Sequence, residues 1–366
     1  MNSQRFYNNL LLLLLISIFT VACGGNKEDG SSSSVSTMQK ARGENGEIIL
    51  VIAPNHWEGP VGEKVREIFN QSIKGVPQDE PKYNLKKADP SKLNSVLKAS
   101  KNLLFVATTD NNTSEGNYMK KYFTDNSIQQ IENNPNLFSF NQKDVYAAGQ
   151  EVLYLFGRSE KELLNNLNEH EKQISEFFNA KEQERLLVDL KKSASTGIMK
   201  FLSDTIGLEM LVPYGYDIAK KQENFLWARL LDNQEEFNLW VAEMPYSSED
   251  MFDPANMKKI RNTLGKRYIT DIDDDSLYLT TQDELPLTID TVNLNGNYAL
   301  QARGLWKYSD NSRGGAFISY LLANEETGKA YYVEGYLDNP GKDKREPLRI
   351  LETVLGTTDI PDTIND

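Results

Sequence analysis

Along the chain, hydrophobic and polar positions fall into two regimes. Leu10 to Val21 is an apolar run that includes six consecutive leucines, Leu10 to Leu15. From Glu47 onward the apolar residues become periodic. The run is too short for a transmembrane helix, which needs roughly twenty apolar residues, so it predicts a signal-peptide core behind a positive start made by Arg5 and the free amino group. The periodic part begins with a strand, Glu47 to Ala53. A helix follows, with Val61, Val65, Ile68, Phe69 and Ile73 on one face and Gly75 as its stop. Asp89-Pro90 predicts a helix cap and first position, with Leu93, Val96 and Leu97 forming one face, and Leu103 to Ala107 a short strand. The Asn-rich stretch Thr108 to Lys143 is the least regular part. Val145 to Phe156 predicts a strand, and Ser159 with Glu162 a capping box for a helix whose stripe is Leu163, Leu167, His170, Ile174, Phe177 and Phe178.

The second half is richer in strands: Leu208 to Val212, Phe225 to Leu231 and Phe237 to Met244. Asp253-Pro254 then starts a helix that buries Met257, Ile260 and Leu264 and ends at Gly265. Tyr298 to Tyr308 and Ala316 to Leu322 alternate, and Glu325 to Gly328 turns the latter into a hairpin with Ala330 to Leu337. Glu346 to Leu355 closes as a helix with Pro347 in its first turn and Gly356 behind it. The expected fold class is α+β, in two similar-sized halves, each a largely antiparallel sheet with helices on one face. The expected division is 1–22 signal peptide, 23–46 tether, 47–203 and 204–356 the two halves, and 357–366 a polar tail.

Composition sharpens this picture in three ways. Hydrophobic residues make up 39% of the 366, enough for a folded core, although the mean hydropathy is −0.54. The net charge of −13 repels phosphate backbones, which excludes a general nucleic-acid binder. The single cysteine, Cys23, excludes an intrachain disulfide and a thiolate metal cluster.

Cys23 follows Thr20-Val21-Ala22, the place where lipoprotein signal peptidase cuts before an acylated cysteine. Thr20 stands where leucine is usual, but the small Ala22 and the thiol are in place. The expected partner is therefore membrane lipid, held through two or three acyl chains, since one chain anchors only marginally. Residues 24–46 are rich in Gly, Ser and charge and predict a flexible tether. Lys27-Glu28-Asp29 is either an export signal to the outer face of the outer membrane or a charged linker, so the expected address is the outer membrane with its face open.

The leader, Gly314 to Tyr320, Glu334-Gly335-Tyr336 and Pro340 to Glu346 together resemble a family of Bacteroidota lipoproteins known as domain of unknown function 4837. The resemblance runs from about residue 45 to the C-terminus and is most specific over 298–356. It implies an envelope lipoprotein and brings no mechanism and no catalytic residue.

Candidate chemistry is sparse. Neither a Gly-x-Ser-x-Gly elbow nor a His-Glu-x-x-His helix occurs, and no catalytic residue, metal ligand or cofactor is expected. His56 with Glu58, in a loop after the first strand, is a candidate site. His170 is expected to pack. Asp271 to Ser276 has alternating acids, but Ser276 and Gln282 replace the glycine and glutamate an EF-hand requires, which favours a surface loop. Lys342, Lys344 and Arg345, with Arg349, surround the start of the last helix as an anion or headgroup site or, with Asp343 and Glu346 between them, as surface pairs. Trp57, Trp227, Trp240 and Trp306 are expected in the core rather than on a glycan platform. Asp204-Thr205, Asp275-Ser276, Asp290-Thr291 and Asp362-Thr363 resemble O-glycosylation sites. The expected function is a non-enzymatic envelope module that binds a protein or glycan; the alternative is a carboxylate-based, glycan-directed hydrolase.

Overall fold

Three strands set the first half: β1 (Glu47–Ile52), β3 (Asn102–Thr108) and β5 (Glu151–Gly157), each buried along nearly its whole length. A strand without an exposed face belongs in a sheet covered on both sides, which a parallel sheet with helical crossovers provides. In this computed structural model, which describes residues 38–232, 235–271 and 273–361, that is the arrangement. The sheet order is β2-β1-β3-β5-β4, with β2 (Asn84–Ala88) and β4 (Ser139–Lys143) at the edges. Only the β4–β5 pair is antiparallel.

Between and after these strands lie α1 (Pro54–Trp57), α2 (Pro60–Phe69), α3 (Ser95–Lys98), α4 (Ser114–Lys120), α5 (Asp125–Asn133), α6 (Glu160–Glu169) and α7 (Glu171–Leu190). One face packs on α2, α6 and α7 through Val61, Ile68, Leu163, Leu167, Ile174 and Phe178. The other packs on α4 and α5 through Met119 and Ile131. The expectation of an antiparallel sheet with helices on one face therefore fails here, because the central strands are buried on both faces and are joined by helical crossovers.

The second half contains α8 (Thr196–Phe201), β6 (Asp217–Gln222), β7 (Phe225–Asp232), β8 (Glu235–Pro245), α9 (Pro254–Tyr268), β9 (Leu279–Thr281), β10 (Thr288–Leu294), β11 (Asn297–Tyr308), β12 (Gly314–Asn324), β13 (Lys329–Asp338) and α10 (Arg345–Leu355). Its sheet is antiparallel as expected, in the order β10-β11-β12-β13-β8-β7-β6, with β9 paired to β11. Helices cover both faces here too. Leu226, Ala228 and Val333 meet Ile198 and the α10 residues Leu348, Leu351 and Val354, while Phe225, Trp227 and Tyr332 meet Met257 and Tyr268 of α9. Gly335 lets α10 lie close, since a Cβ there would stand 3.0 Å from Leu351. The protein is thus α+β with two domains, a mixed, mostly parallel one and an antiparallel one.

Local differences from the expected elements have physical causes. The stripe through His170 is interrupted: α6 and α7 meet at that residue, whose ring stacks on Phe138 at 3.7 Å. Gly265 does not stop α9, which runs to Tyr268; a side chain there would strike the carbonyl of Leu279. The Asn-rich stretch holds α4 and α5, each capped by a threonine, Thr113 and Thr124. Leu208 to Val212 makes no strand, although Glu209 bridges to Asp359.

The two domains belong to one compact unit starting at Met38. Helix α10 packs on α7 across the domain boundary. Gly75, after α2, is in the left-handed region at φ 77°, and a Cβ there would lie 2.7 Å from the backbone nitrogen of Gly304 in β11. No described helix is long and apolar enough to cross a membrane.

Candidate functional site

Where the domains meet, a cavity of about 420 Å³ opens between the loop after α2, helix α7, strands β10 and β11, and helix α10. Six cations line it, Lys74, Lys82, Lys172, Arg303, Arg345 and Arg349, against the acids Glu176, Asp290 and Glu352. In a chain of net charge −13 this local excess of positive charge is a reversal of the average field.

Each lining acid is already engaged. Lys82 meets Glu176 at 2.6 Å, Lys74 reaches Asp290 across the domain boundary at 3.6 Å, and Arg303 is paired with Glu352. Arg345 and Arg349 share Glu346 at the rim. Arg349 is almost buried and also donates to the carbonyl of Lys82 at 3.3 Å, so it ties α10 to the N-terminal domain. Lys172, exposed on the first turn of α7, has no ion-pair partner among the described residues. Between the charges stand neutral hydrogen-bonding groups, Gln71, Ser72, Asn179, Thr291 and Gln301, over an apolar floor of Ile73, Val292 and Leu348. Gln301 donates to the hydroxyl of Tyr320 at 2.7 Å; burial first, then the charge of Glu352, pushes that hydroxyl well above the usual tyrosine value.

The cationic cluster expected at the last helix divides in the structure. Arg345 lines the cavity. Lys344 is buried and donates its ammonium to the carbonyls of Asn339 at 2.9 Å and of Lys342, closing the loop before α10; burial, its largest influence, lowers its pKa. The free amides at the start of α10 do hold an anion, and it comes from the other domain: Glu80 accepts from the backbone of Lys344 at 2.7 Å and of Arg345 at 2.9 Å. Lys342 sits 3.5 Å from Glu235. Glu80, Lys172 and Arg303 escaped the sequence reading because each is an ordinary surface charge until the domains are docked.

His56 and Glu58 are not brought together. Glu58 is exposed and lies 3.9 Å from Lys87. His56 is buried in α1, beyond the carboxyl end of β1, next to the segment after β3; Asn111 of that segment donates to Asn55 at 3.2 Å. In a sheet of order 2-1-3 this is the topological switch point where ligands of open α/β folds bind. Its Nδ1 is buried without a hydrogen-bond partner among the described residues, and burial lowers its pKa against the opposing pull of Glu160 and Asp110.

The remaining candidates have structural partners. Asp271 accepts from the amide of Asp273 at 2.9 Å, and Asp274 accepts from that of Ser276 at 3.0 Å, so both acids fold their own loop. No group of three His, Cys, Asp or Glu residues able to hold a metal occurs among the described residues. Trp227, Trp240 and Trp306 are core residues, and Trp57 lies under the Arg66 guanidinium. Asp204-Thr205, Asp275-Ser276 and Asp290-Thr291 are exposed. Cys23, Lys27, Glu28, Asp29 and Asp362 lie outside the described residues.

Fold and site define an α+β protein of two domains joined at a polar, cation-rich cleft. Residues 195–357 are a DUF4837 domain, "Domain of unknown function (DUF4837)". The resemblance seen in the sequence reached back to about residue 45, but residues 41–191 match a second model, "Domain of unknown function (DUF8532)". No curated protein matches the chain. Among solved structures, the Ran-binding protein Mog1p of Saccharomyces cerevisiae is similar at 11% identity and TM-score 0.28, over 43% of this chain and 92% of its own. A protein of Bacteroides thetaiotaomicron aligns at 11% identity and TM-score 0.23, over 43% of this chain and 46% of its own. The human StAR-related lipid transfer protein 5 aligns at 10% identity and TM-score 0.22, over 50% of this chain and 96% of its own.

Proposed function

We propose that the protein is a lipid-anchored module of the bacterial outer membrane that binds a hydroxyl-bearing anion, such as an acidic glycan, in the cleft between its domains and does not transform it. The observation that carries this reading is the cleft itself: six cations and five neutral hydrogen-bonding side chains face one cavity in an acidic protein. Domain junctions are a common place for ligands, and this cavity is of ligand size. A uronic acid or sugar phosphate matches both groups of donors, its charge meeting the cations and its hydroxyls the amides. The apolar leader and Cys23 supply the anchor, and the polar stretch after it supplies reach.

A carboxylate-based hydrolase needs two acids facing a shared space at the scissile bond. In the cleft Glu176, Asp290 and Glu352 each neutralise a cation instead. That supports binding over catalysis.

The test is calorimetric titration of the full chain in a polyoxyethylene detergent with glucuronate, and with glucose as the uncharged control. Glucuronate is expected to bind, more weakly at high salt and after Lys172→Ala, with glucose inert. Equal binding of both sugars, or of neither, refutes the anion site. Mass spectrometry of the mature N-terminus, beside a Cys23→Ser variant, tests the anchor; an unacylated terminus in the native chain refutes it.

A further inference from the structure

A second surface, on the opposite face of the antiparallel sheet, has the chemistry for a ligand of opposite charge. Side chains alternate along β11, so Gln301 and Arg303 face the cleft while Tyr298 faces the α9 side. There Tyr246, Phe252 and Tyr298 form a continuous tilted wall. The rings of Tyr246 and Phe252 are 6.5 Å apart at 52°, and those of Phe252 and Tyr298 are 5.4 Å apart at 67°. They border a groove of about 520 Å³.

The charged residues of this groove are all acids, Glu249, Asp250, Asp253 and Glu325, and none of them is in an ion pair among the described residues. Asp253 caps the amide of Ala255 and Glu325 accepts from the Tyr246 hydroxyl at 3.1 Å, but the carboxylates of Glu249 and Asp250 have no hydrogen-bond or ion-pair partner among the described residues. Tyr298 leaves 56% of its surface in water, a large ring that the core does not use.

We propose that this groove binds a small organic ammonium ion of the choline class. Ring faces carry negative potential and the carboxylates add formal charge, so both attract a cation, and an aromatic wall favours the diffuse charge of alkylated nitrogen. A neutral sugar would use the rings and could donate to the carboxylates, but it would bring no positive charge to a groove whose charged residues are all acids. The size of the groove suits a small molecule, whereas a protein partner would need a wider surface.

The experiment is saturation-transfer NMR of the full chain in the same uncharged detergent with choline chloride. The comparison probes are 3,3-dimethylbutan-1-ol, the neutral shape analogue, Nα-acetyl-lysine amide, and maltose. Choline is expected to bind saturably, the alcohol not at all, and lysine amide more weakly than choline. Tyr298→Ala is expected to weaken choline about two- to fivefold, the worth of one exposed cation–ring contact. Glu325→Gln and added salt are expected to weaken it as well. Absent choline binding, or equal binding of the neutral alcohol, overturns the proposal without needing any variant. Tighter binding of lysine amide overturns it in favour of a partner's lysine, and binding of maltose alone in favour of a glycan.

Discussion

Ion pairs on the two faces of the antiparallel sheet show how burial decides what a charge does. Beneath α9, Arg261 forks onto Glu334 with two contacts of 2.8 Å, donates to Thr281 at 3.0 Å and lies 3.8 Å from the Phe317 ring centre. Tyr332 completes the group by donating to Glu334 at 2.6 Å. Both charged side chains are wholly buried. On the other face, Arg303–Glu352 is partly exposed and Lys74–Asp290 is open to water. The dry pair fixes a core. The open Lys74–Asp290 pair is worth about 0–1 kcal/mol, so an incoming anion can replace its carboxylate at little cost.

The strongest test of this contrast is to break the dry pair. Arg261→Met leaves Glu334 buried without a countercharge and is expected to cost about 3–5 kcal/mol, lowering the melting temperature by about 5–10 °C in thermal unfolding. Replacing Arg261, Glu334 and Tyr332 together by Met, Leu and Phe is expected to restore much of that loss, because no charge or hydroxyl is then stranded. If the single variant melts with the native protein, the pair is not the scaffold described.

Glu80 stands between the extremes, since its carboxylate is half in water yet serves two helix amides across the domain boundary. Glu80→Ala is expected to cost about 1 kcal/mol in urea unfolding, the usual worth of a helix cap. Lys172→Ala, at a cleft cation without a partner, is expected to leave stability within about 0.5 kcal/mol while weakening glucuronate. A large stability loss there would mean that the cleft cations hold the domains together rather than await a ligand.

These differences were unequally legible in the sequence. The antiparallel domain rested on alternation and a four-residue turn, both of which a sequence displays directly. The parallel sheet was harder because β1, β3 and β5 have no alternation, and a short apolar run does not say which way its neighbours run. The cleft was the least visible. Arg345 was noticed for its neighbours and the helix start, but Lys74, Lys172 and Arg303 come from segments far apart in the chain. Glu80 fills the anion position from 264 residues away. Only docking of two domains gives these charges a common meaning.

The smallest effect belongs to His56, which carries the wet-and-dry comparison into the parallel domain. Its imidazole is nearly as buried as Arg261, but among the described residues it is in no ion pair and its Nδ1 has no hydrogen-bond partner. Burial holds its pKa below 6.5, while the charges of Glu160 and Asp110 pull the other way and lose. In the unfolded chain the same ring takes up a proton near 6.5. Between the folded and unfolded values the unfolded state binds more protons, so stability rises with pH across that window. The contribution is therefore fully present above 6.5 and is lost as the pH falls toward the folded value. Urea unfolding at a series of pH values should show native stability falling more steeply than that of His56→Gln just below 6.5. A merely structural loss would displace the variant's curve without changing its slope, so parallel curves would mean that His56 is solvated or paired in the folded protein and that its burial carries no electrostatic penalty.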